Sequence, residues 1–218
     1  SLCNWRLAHD SRRDANGAWL PAQDPASLRR GVEANLRTLG VDHLAVVNLR
    51  VMDAFRDGAP VPEDQKAEFD DQLAEMIAMR DEGKIGAIGL SNVSRDQLLH
   101  ALPAGIACVQ NAYSLLDRPA EPLLEICLRA GIAWVPFFPL GSAFPGKPKV
   151  TAHPPVIETA LRLGATPAQV GLAWLLAHAA NILLIPGTSD PGHLDENIAA
   201  GEISLDGDTM KLLDGLSA

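Results

Sequence analysis

Polar side chains follow several apolar runs of this sequence at the point where each run ends. Residues 46–53 read VVNLRVMD, so a run typical of a buried strand ends on Arg50. Because arginine keeps its charge in proteins, a buried Arg50 needs a carboxylate, a phosphate or water to face. Other runs end in hydroxyl and amide side chains, which can recognise a small polar ligand. The polar pairs at these ends are Asn48 and Arg50, Ser91 and Asn92, Gln110 and Asn111, and Thr188 and Ser189.

The cysteines and histidines do not indicate a metal site. The six histidines show no metal-ligand spacing. Cys3, Cys108 and Cys127 are too far apart for a Cys-x-x-Cys motif, and their odd number is typical of reduced thiols. We therefore expect no metal and no disulfide, and we expect Cys108 and Cys127 to be small core residues of a cytoplasmic protein.

The composition is that of a globular domain. The 218 residues are 47% hydrophobic and 21% charged, which allows one sizeable core. The formal net charge of −9 argues against general affinity for nucleic acid or an anionic membrane. An anionic cofactor can still bind in a local pocket built from helix N-termini and a few cations. No apolar run reaches the roughly 18 residues that span a bilayer, and no signal peptide is visible.

Predicted helices and strands alternate from residue 26 onward. Short apolar runs predict five strands, and residues 4–8 (NWRLA) are the only strand candidate in residues 1–22. Asp24 and Thr166, each followed by proline, are predicted N-caps. The predicted strands are 43–49, 85–90, 106–110, 132–138 and 182–186, and the predicted helices are 26–39, 63–82, 94–101, 119–130, 155–163, 167–178, 190–199 and 207–216.

This alternation predicts an α/β fold with a parallel sheet, because a parallel crossover needs a covering helix. Two architectures fit, a doubly wound open sheet and a (β/α)8 TIM-type barrel. We favour the barrel because polar residues converge at the strand ends, and because no Gly-x-Gly-x-x-Gly motif follows the first strand. A complete barrel has eight strands in about 250 residues, so the five predicted strands indicate a partial barrel.

Five sequence blocks together resemble the aldo-keto reductase family. They are GKIGAIGLSNVSRDQL, VQNAYSLLDR, GIAWVPFFPLGS, GATPAQVGLAWLL and IPGTSDPGHLDENIAA, and they lie in order within residues 26–216. The resemblance implies a barrel, here represented by strands four to eight, that binds NADPH and reduces carbonyl groups to alcohols. It also implies one domain over residues 1–218, in which residues 12–218 are family-like and residues 1–11 are atypical.

The resemblance assigns the nicotinamide to side chains at the strand ends. Ser91, Asn92 and Gln110 match residues that hold the carboxamide, and Phe137 matches an aromatic residue that stacks on the ring. The alternatives are a helix cap for Ser91 and Asn92, a surface position for Gln110 and a core position for Phe137.

The resemblance assigns the rest of the cofactor to loops and one helix. Glu196 and Asn197 match adenine contacts, with a solvated helix face as the alternative. His193 stands where many members have an arginine facing the 2′-phosphate, and neutral imidazole is a weaker phosphate partner, so NADPH over NADH is only a preference. The residues that match the pyrophosphate loop are Leu140, Gly141 and Ser142, and those that offer backbone N–H groups to an anion are Gly187, Thr188 and Ser189.

Arg50 occupies the position of the family's catalytic histidine, at the end of the fourth strand. Arginine can donate hydrogen bonds to a developing oxyanion but cannot relay protons near neutral pH. A subset of the family has Asn-Leu-Arg here, and reductases of pyridoxal-like aldehydes resemble it. The resemblance therefore implies a small carbonyl substrate that is anionic or pyridoxal-like. The alternative for Arg50 is a structural salt bridge, with Asp53 as the candidate partner.

The family's other catalytic residues are an Asp, a proton-donating Tyr and a Lys. The Asp and the Tyr have no counterpart in this sequence, and LAHDS stands at the position of the Lys. Tyr113, the single tyrosine, follows another strand and does not match the proton donor. We expect a truncated or rearranged N-terminus and impaired turnover, because a general acid contributes typically 10²–10⁴-fold.

Three functions therefore compete. The first is an NADPH-dependent reductase, and the second is a nucleotide-binding or interaction module without catalysis, which retains the cofactor positions alone. The third, a different barrel enzyme such as an isomerase or lyase, needs an acid and a base at the strand ends, and the sequence offers no convincing pair. The sequence does not determine the oligomeric state.

Overall fold

A computed structural model describes residues 9–13, 19–21, 23–51, 67–141 and 148–216. The chain divides into two compact units, Ser1–Gln110 and Asn111–Ala218, and each is described by itself.

The first unit combines a hairpin with alternating helices and parallel strands. The antiparallel hairpin consists of β1 (His9–Arg13) and β2 (Trp19–Pro21). The elements that follow are α1 (Pro25–Leu39), β3 (Leu44–Arg50), α2 (Phe69–Asp81), β4 (Ile85–Ser91), α3 (Arg95–Ala101), a 3₁₀ turn (Leu102–Ala104) and β5 (Ile106–Gln110). The predicted strands at 43–49, 85–90 and 106–110 are confirmed within a residue.

The strands β3, β4 and β5 form a parallel sheet with β4 in the middle. Side chains alternate between the two faces of a strand, so residues two apart share a face. One face of this sheet is apolar and fully buried, and α2 packs against β3 and β4. The side chains on this apolar face are Val47, Leu49, Ile88, Leu90 and Val109.

The helix ends follow from local side-chain chemistry. The Asp24 carboxylate accepts a 2.9 Å hydrogen bond from the Ser27 N–H, which starts α1 with Pro25 in its first turn, and Gly40 ends the helix at a φ of 65°. Thr166 caps the helix Pro167–His178 in the same way, through a capping box with Gln169. Both predicted N-caps are therefore confirmed.

The second unit contains mainly helices. Its aromatic core contains Tyr113, Trp134 and Trp174, all at most 1% exposed. The elements are α4 (Glu121–Ala130), β6 (Ala133–Trp134), a 3₁₀ turn (Val150–Ala152), α5 (Pro154–Leu163), α6 (Pro167–His178), α7 (Pro191–Ala199), a 3₁₀ turn (Ala200–Glu202) and α8 (Gly207–Asp214).

Two predicted strands of this unit are wrong in extent or in kind. The run 132–138 forms a strand only at Ala133–Trp134, because Pro136 lacks an N–H donor and Phe138 has a φ of 56°. The run 182–186 is not a strand. It makes strand-type hydrogen bonds only around Trp134, whose backbone N–H donates to the Asn181 carbonyl and whose carbonyl accepts from the Leu183 N–H.

The N-terminal segment also differs from expectation. The hairpin of β1 and β2 lies in residues for which we predicted no strand apart from 4–8, and residues 4–8 lie outside the described structure. The run HDSRR of β1 has no apolar alternation, so its strand could not be predicted from pattern. None of the described helices is long and apolar enough to cross a membrane.

Candidate functional site

A row of buried polar side chains marks the carboxyl ends of the three parallel strands in the first unit. Arg50 of β3 pairs in register with Ser91 of β4, and Ser91 pairs with Gln110 of β5. Because register partners lie on the same face of a sheet, the three side chains form one row. All three are less than 9% exposed. The fold therefore brings together Arg50, Ser91 and Gln110, three of the site residues predicted from the sequence.

A second row lies two residues earlier on the same face. Asn48, Gly89 and Cys108 pair in register across the three strands. The Cys108 thiol donates to Asn48 Oδ1 at 3.3 Å, and Asn48 Nδ2 donates to Gln110 Oε1 at 3.5 Å. Asn48 thus connects the second row to Gln110 in the first.

The glycine in the middle of the second row makes room for the Asn48 amide. A Cβ atom at Gly89 would lie 1.9 Å from Asn48 Oδ1 and 2.7 Å from Cys108 Sγ. Neither distance is tolerated by non-bonded atoms, so a side chain at position 89 would displace both neighbours. Gly89 is required here by close approach.

Arg50 is the charged member of the site. Its Nη1 lies 3.4 Å from Ser91 Oγ, and burial lowers the pKa of the guanidinium to about 10. That pKa remains far above neutral, so Arg50 is a fixed positive charge at the strand ends. Its alternative partner, Asp53, lies outside the described residues.

Ser91 and Asn92 do not cap the following helix. That cap is a capping box formed by Ser94 and Gln97, so the helix-cap alternative is wrong. Asn92 instead adopts a φ of 59° and donates through Nδ2 to the Val51 carbonyl at 3.0 Å. Asparagine tolerates this left-handed conformation better than most residues. The surface alternative for Gln110 is also wrong, because only 4% of that residue is exposed.

Phe137 in the second unit lies in the core. It is 4% exposed, and its ring meets that of Phe138 edge-on at 5.1 Å between centroids. Its backbone N–H donates to the Asn111 carbonyl, and its carbonyl accepts from the Tyr113 N–H. The geometry matches the core alternative, and the neighbouring positive φ at Phe138 ends the extended segment just before Pro139.

The loop that begins at Leu140 approaches another backbone segment closely. Gly141 has a φ of 91°, and a Cβ atom there would lie 2.1 Å from the Pro148 carbonyl oxygen. The Leu140 carbonyl accepts from the Val150 N–H at 3.1 Å. Only glycine fits position 141, for reasons of both conformation and space. Ser142 lies outside the described residues.

The segment before α7 is open to solvent. Gly187, Thr188 and Ser189 are exposed, and Thr188 Oγ1 accepts from the Asp190 N–H at 3.1 Å. Asp190 caps α7 by accepting from the His193 N–H at 3.1 Å, and its hydrogen bonds to the backbone N–H groups of His193 and Gly192 lower the pKa of the carboxyl.

The α7 residues predicted to contact the adenine end of the cofactor lie further along the same helix. The side chains of His193 and Glu196 are exposed, and Asn197 is half-buried. The Glu196 carbonyl accepts from Gln169 Nε2 at 3.0 Å, which ties α7 to α6.

The single tyrosine is part of a structural network in the second unit. Tyr113 is 1% exposed, and its hydroxyl donates to Glu121, which is also 2.8 Å from His178 Nε2. Burial, and then the contact with Glu121, raise the pKa of the phenol. Tyr113 is therefore not placed to act as an accessible acid, in agreement with the expectation from the sequence.

Three members of the site were not predicted to have a role there. Asn48 was noted only as a strand-end polar residue, Cys108 only as a core residue, and Gly89 was not singled out. The period-two spacing of Asn48 and Arg50 could have indicated a shared face. In the described part of the chain, no cluster of histidine, cysteine and carboxylate side chains could hold a metal ion.

Comparisons with known proteins agree with this picture. A model of the aldo/keto reductase family matches residues 6–218. The chain is 43% identical over 208 residues to pyridoxine 4-dehydrogenase of Escherichia coli, covering 95% of the chain and 69% of that protein. It is 32% identical over 206 residues to an uncharacterized oxidoreductase of Schizosaccharomyces pombe, covering 93% of the chain and 61% of that protein.

A solved structure shares the fold. The aldo/keto reductase of Klebsiella pneumoniae, in complex with NADP and acetate, matches with a TM-score of 0.73 and 28% identity, covering 89% of the chain and 66% of that structure. Together with the parallel strands and covering helices of the first unit, this confirms the predicted fold class, a partial (β/α)8 barrel.

Proposed function

The chain belongs to the aldo/keto reductase family of oxidoreductases, and from that premise we propose that it binds NADP(H) and holds a small carbonyl substrate beside it. The observation that carries the proposal is the in-register row of Arg50, Ser91 and Gln110. Barrel enzymes bind their ligands at the carboxyl ends of the strands, which is where this row lies. Buried hydroxyl and amide groups at such a position suit a ligand that has an amide of its own.

The residues present fit the nicotinamide end of the cofactor. Ser91, Asn92 and Gln110 would hold the carboxamide, whereas the assignment of Phe137 to the ring rests on the family resemblance alone, because its side chain is buried in the core. Bound there, NADPH would supply the hydride that reduces the carbonyl carbon. The buried Gln110 and Ser91 support this assignment because their polar atoms lie at the strand ends.

The family resemblance assigns the remainder of the cofactor to residues 140–142 and 187–197. The exposed segment before α7 has backbone N–H groups that suit an anion. The assigned residues are Leu140, Gly141 and Ser142 for the pyrophosphate loop, Gly187, Thr188 and Ser189 before α7, and His193, Glu196 and Asn197 for the adenosine end.

Arg50 is assigned to binding of the substrate. Its fixed charge can donate hydrogen bonds to the oxygen on which negative charge develops, or to an anionic group of the substrate. It cannot exchange protons at neutral pH, because the pKa of its guanidinium is about 10. The similarity to a pyridoxine 4-dehydrogenase supports a pyridoxal-like or otherwise anionic carbonyl compound as the substrate.

Turnover by the 218-residue chain is proposed to be slow. The alkoxide left by hydride transfer must be protonated, and the single tyrosine is buried against Glu121. Missing acid catalysis typically costs 10²–10⁴-fold in rate. Binding of the cofactor without chemistry is the alternative that this observation favours.

We also propose a reducing, cytoplasmic setting. Cys108 and Cys127 are buried thiols that form no disulfide, which is typical of proteins that keep their thiols reduced.

The first experiment is a titration of the purified chain with NADPH, followed by quenching of tryptophan fluorescence. Trp134 is buried three residues before Phe137 and provides the reporter. Saturable quenching supports the proposal, and its loss in Gln110→Ala, with unchanged circular dichroism, supports the assigned site. A soluble, helical chain that shows no saturable quenching contradicts the proposal. Oxidation of NADPH by pyridoxal then separates a slow reductase from a binding module.

A further inference from the structure

We infer that Asp190 makes the adenosine end of the cofactor site select the ribose 2′-hydroxyl of NADH over the 2′-phosphate of NADPH. The inference rests on the proposed function, in which residues 187–197 hold that end of the cofactor. It reverses the preference for NADPH that the family resemblance implies. The two cofactors share the same nicotinamide, so the difference between them tests the adenosine end alone.

The start of α7 is already occupied by a carboxylate of the chain itself. A helix N-terminus ordinarily attracts anions, because its first backbone N–H groups have no partner within the helix. Here the Asp190 carboxylate accepts from the His193 N–H at 3.1 Å and from the Gly192 N–H. Pro191 has no N–H, and the Leu194 N–H donates to the Asp190 carbonyl at 3.1 Å. Within the described residues, the first turn of α7 therefore has no unpaired N–H left for a phosphate.

The charges on and around α7 also oppose a 2′-phosphate. Residues 187–197 contain three acidic residues and neither lysine nor arginine. Helix α6 and the 3₁₀ turn Ala200–Glu202, which pack against α7, contain no lysine or arginine either. The hydrogen bonds from His193, and then from Gly192, lower the pKa of the Asp190 carboxyl, so this group is ionised at neutral pH. A phosphate group adds about two negative charges, which would meet this carboxylate.

The same carboxylate suits a hydroxyl group. An ionised carboxylate has about four acceptor positions, and the two backbone N–H groups use two of them. Asp190 is exposed, so a ribose 2′-hydroxyl can donate to a remaining position. In dinucleotide-binding folds of another class, an acidic residue likewise accepts from the 2′-hydroxyl of NAD, and an arginine accommodates the 2′-phosphate of NADP. His193 stands where many family members have that arginine, and an imidazole has no fixed charge to offer a phosphate.

The test measures the dissociation constants of NAD⁺ and NADP⁺ for the 218-residue chain by isothermal titration calorimetry. We expect NAD⁺ to bind about three- to tenfold more tightly, and the difference to shrink in 1 M salt, where the Debye length is about 3 Å. Asp190→Ser keeps a helix N-cap without the charge. It is expected to tighten NADP⁺ about three- to tenfold and to weaken NAD⁺ about two- to fivefold, since a neutral hydrogen bond replaces a charged one. Asp208→Asn removes the same charge from α8, where the Asp208 side chain is 99% exposed, and is expected to change neither constant.

A second variant tests the same carboxylate from the other side. His193→Arg alone is expected to help NADP⁺ little, because the new guanidinium can pair with Asp190. Combined with Asp190→Ser, it is expected to tighten NADP⁺ by more than the product of the two single effects.

The outcomes separate the inference from the proposed function. Tighter binding of NADP⁺ than of NAD⁺ by the unmodified chain, or a ratio that Asp190→Ser leaves unchanged, would overturn the inference and leave the proposed function intact. An equal change in Asp208→Asn would show an effect of net charge and would also overturn the inference. A chain that binds neither cofactor would overturn the proposed function, and the inference with it. If Asp190→Ser loses its helical circular dichroism, Asp190→Asn, which also caps helices, takes its place under the same criteria.

Discussion

Arg50 and Ser91 are register partners at the carboxyl ends of neighbouring parallel strands, and Arg50 Nη1 lies 3.4 Å from Ser91 Oγ. The pairing places a fixed charge beside a buried hydroxyl. Burial lowers the pKa of the guanidinium to about 10, so the charge is held at some cost to the fold. Two predictions test how the charge affects ligand selectivity and how it affects the free energy of unfolding.

Arg50→Met is expected to reduce selectivity for anionic ligands. With NADP⁺ saturating, we expect the preference for 4-(hydroxymethyl)benzoate over its methyl ester to fall about tenfold or more, because hydrogen bonds to charged groups contribute about 1.5–3 kcal/mol. Isothermal titration calorimetry measures both dissociation constants. Arg95→Met is the matched control, since Arg95 is exposed at the start of α3. An unchanged preference would show that Arg50 does not face the substrate.

The same substitution is expected to stabilise the fold at neutral pH. The pKa of Arg50 is lowered in the folded state from 12.5 to about 10, so the unfolded chain binds more protons between those values. Stability therefore rises with pH across that window, and the burial cost is fully present at pH 7. Urea unfolding at pH 7 should show Arg50→Met to be about 1–2 kcal/mol more stable. A less stable variant would indicate that the contacts of Arg50 outweigh its desolvation.

Sequence alone predicted the row at the strand ends but not the row behind it. Arg50, Ser91 and Gln110 each end an apolar run, which is a visible signal, and in-register pairing then brings them together. The role of Gly89 depends on the Asn48 amide lying across the neighbouring strand, which is a tertiary contact. No local sequence pattern indicates such a contact, so the role of Gly89 could not be predicted from the sequence.

The strand predictions succeeded where a run pairs with a neighbouring parallel strand along most of its length. The runs that became β3, β4 and β5 pair with one another along their length. The run 182–186 is also apolar. Its strand-type backbone hydrogen bonds are nevertheless confined to the neighbourhood of Trp134, and Leu183 is 57% exposed. Apolar composition indicates that a segment could be a buried strand, but pairing decides whether it is one.

Gly89→Ala is expected to be strongly destabilising because of the Asn48 amide. The new Cβ atom would lie 1.9 Å from Asn48 Oδ1, and such overpacking typically costs about 1–3 kcal/mol. Gly201→Ala is the control, because nothing lies within 4 Å of a Cβ atom there, and it should stay within about 0.5 kcal/mol of the unmodified chain. Asn48→Ala combined with Gly89→Ala should recover part of the loss in urea unfolding. Additive losses would contradict the proposed contact.

Tyr113→Phe separates a structural tyrosine from a catalytic one. The phenol hydroxyl donates to Glu121, and the ring packs on Trp134 and Trp174. Removing the hydroxyl should cost about 1 kcal/mol of stability, the contribution of a typical hydrogen bond, and should leave NADPH binding and any turnover unchanged. Thermal unfolding and NADPH oxidation measure the two effects. Lost turnover at unchanged stability would instead identify Tyr113 as the proton donor.

Glu82 should make part of the first unit's stability sensitive to acid and to salt. Its two carboxylate oxygens accept from Arg29 at 2.6 and 2.8 Å, and Lys84 lies 2.8 Å away. The hydrogen bonds from Arg29, and then from Lys84, lower the pKa of this carboxyl from 4.5 to about 2. Because the folded pKa is the lower one, the contribution is complete above about pH 4.5 and is lost as the pH falls toward 2.

Glu82→Gln is therefore expected to lower the free energy of unfolding at pH 7. The difference from the unmodified chain should shrink at pH 3. It should also shrink in 1 M salt, where the Debye screening length is only about 3 Å. A double-mutant cycle with Arg29→Met isolates the pair, and urea unfolding supplies the free energies. Glu125→Gln serves as the control, because the Glu125–Arg129 pair is more exposed and lies 3.6 Å apart on one helix. A coupling between Arg29 and Glu82 that does not change with pH or salt would show that the pair contributes through packing of the arginine side chain and not through its charge.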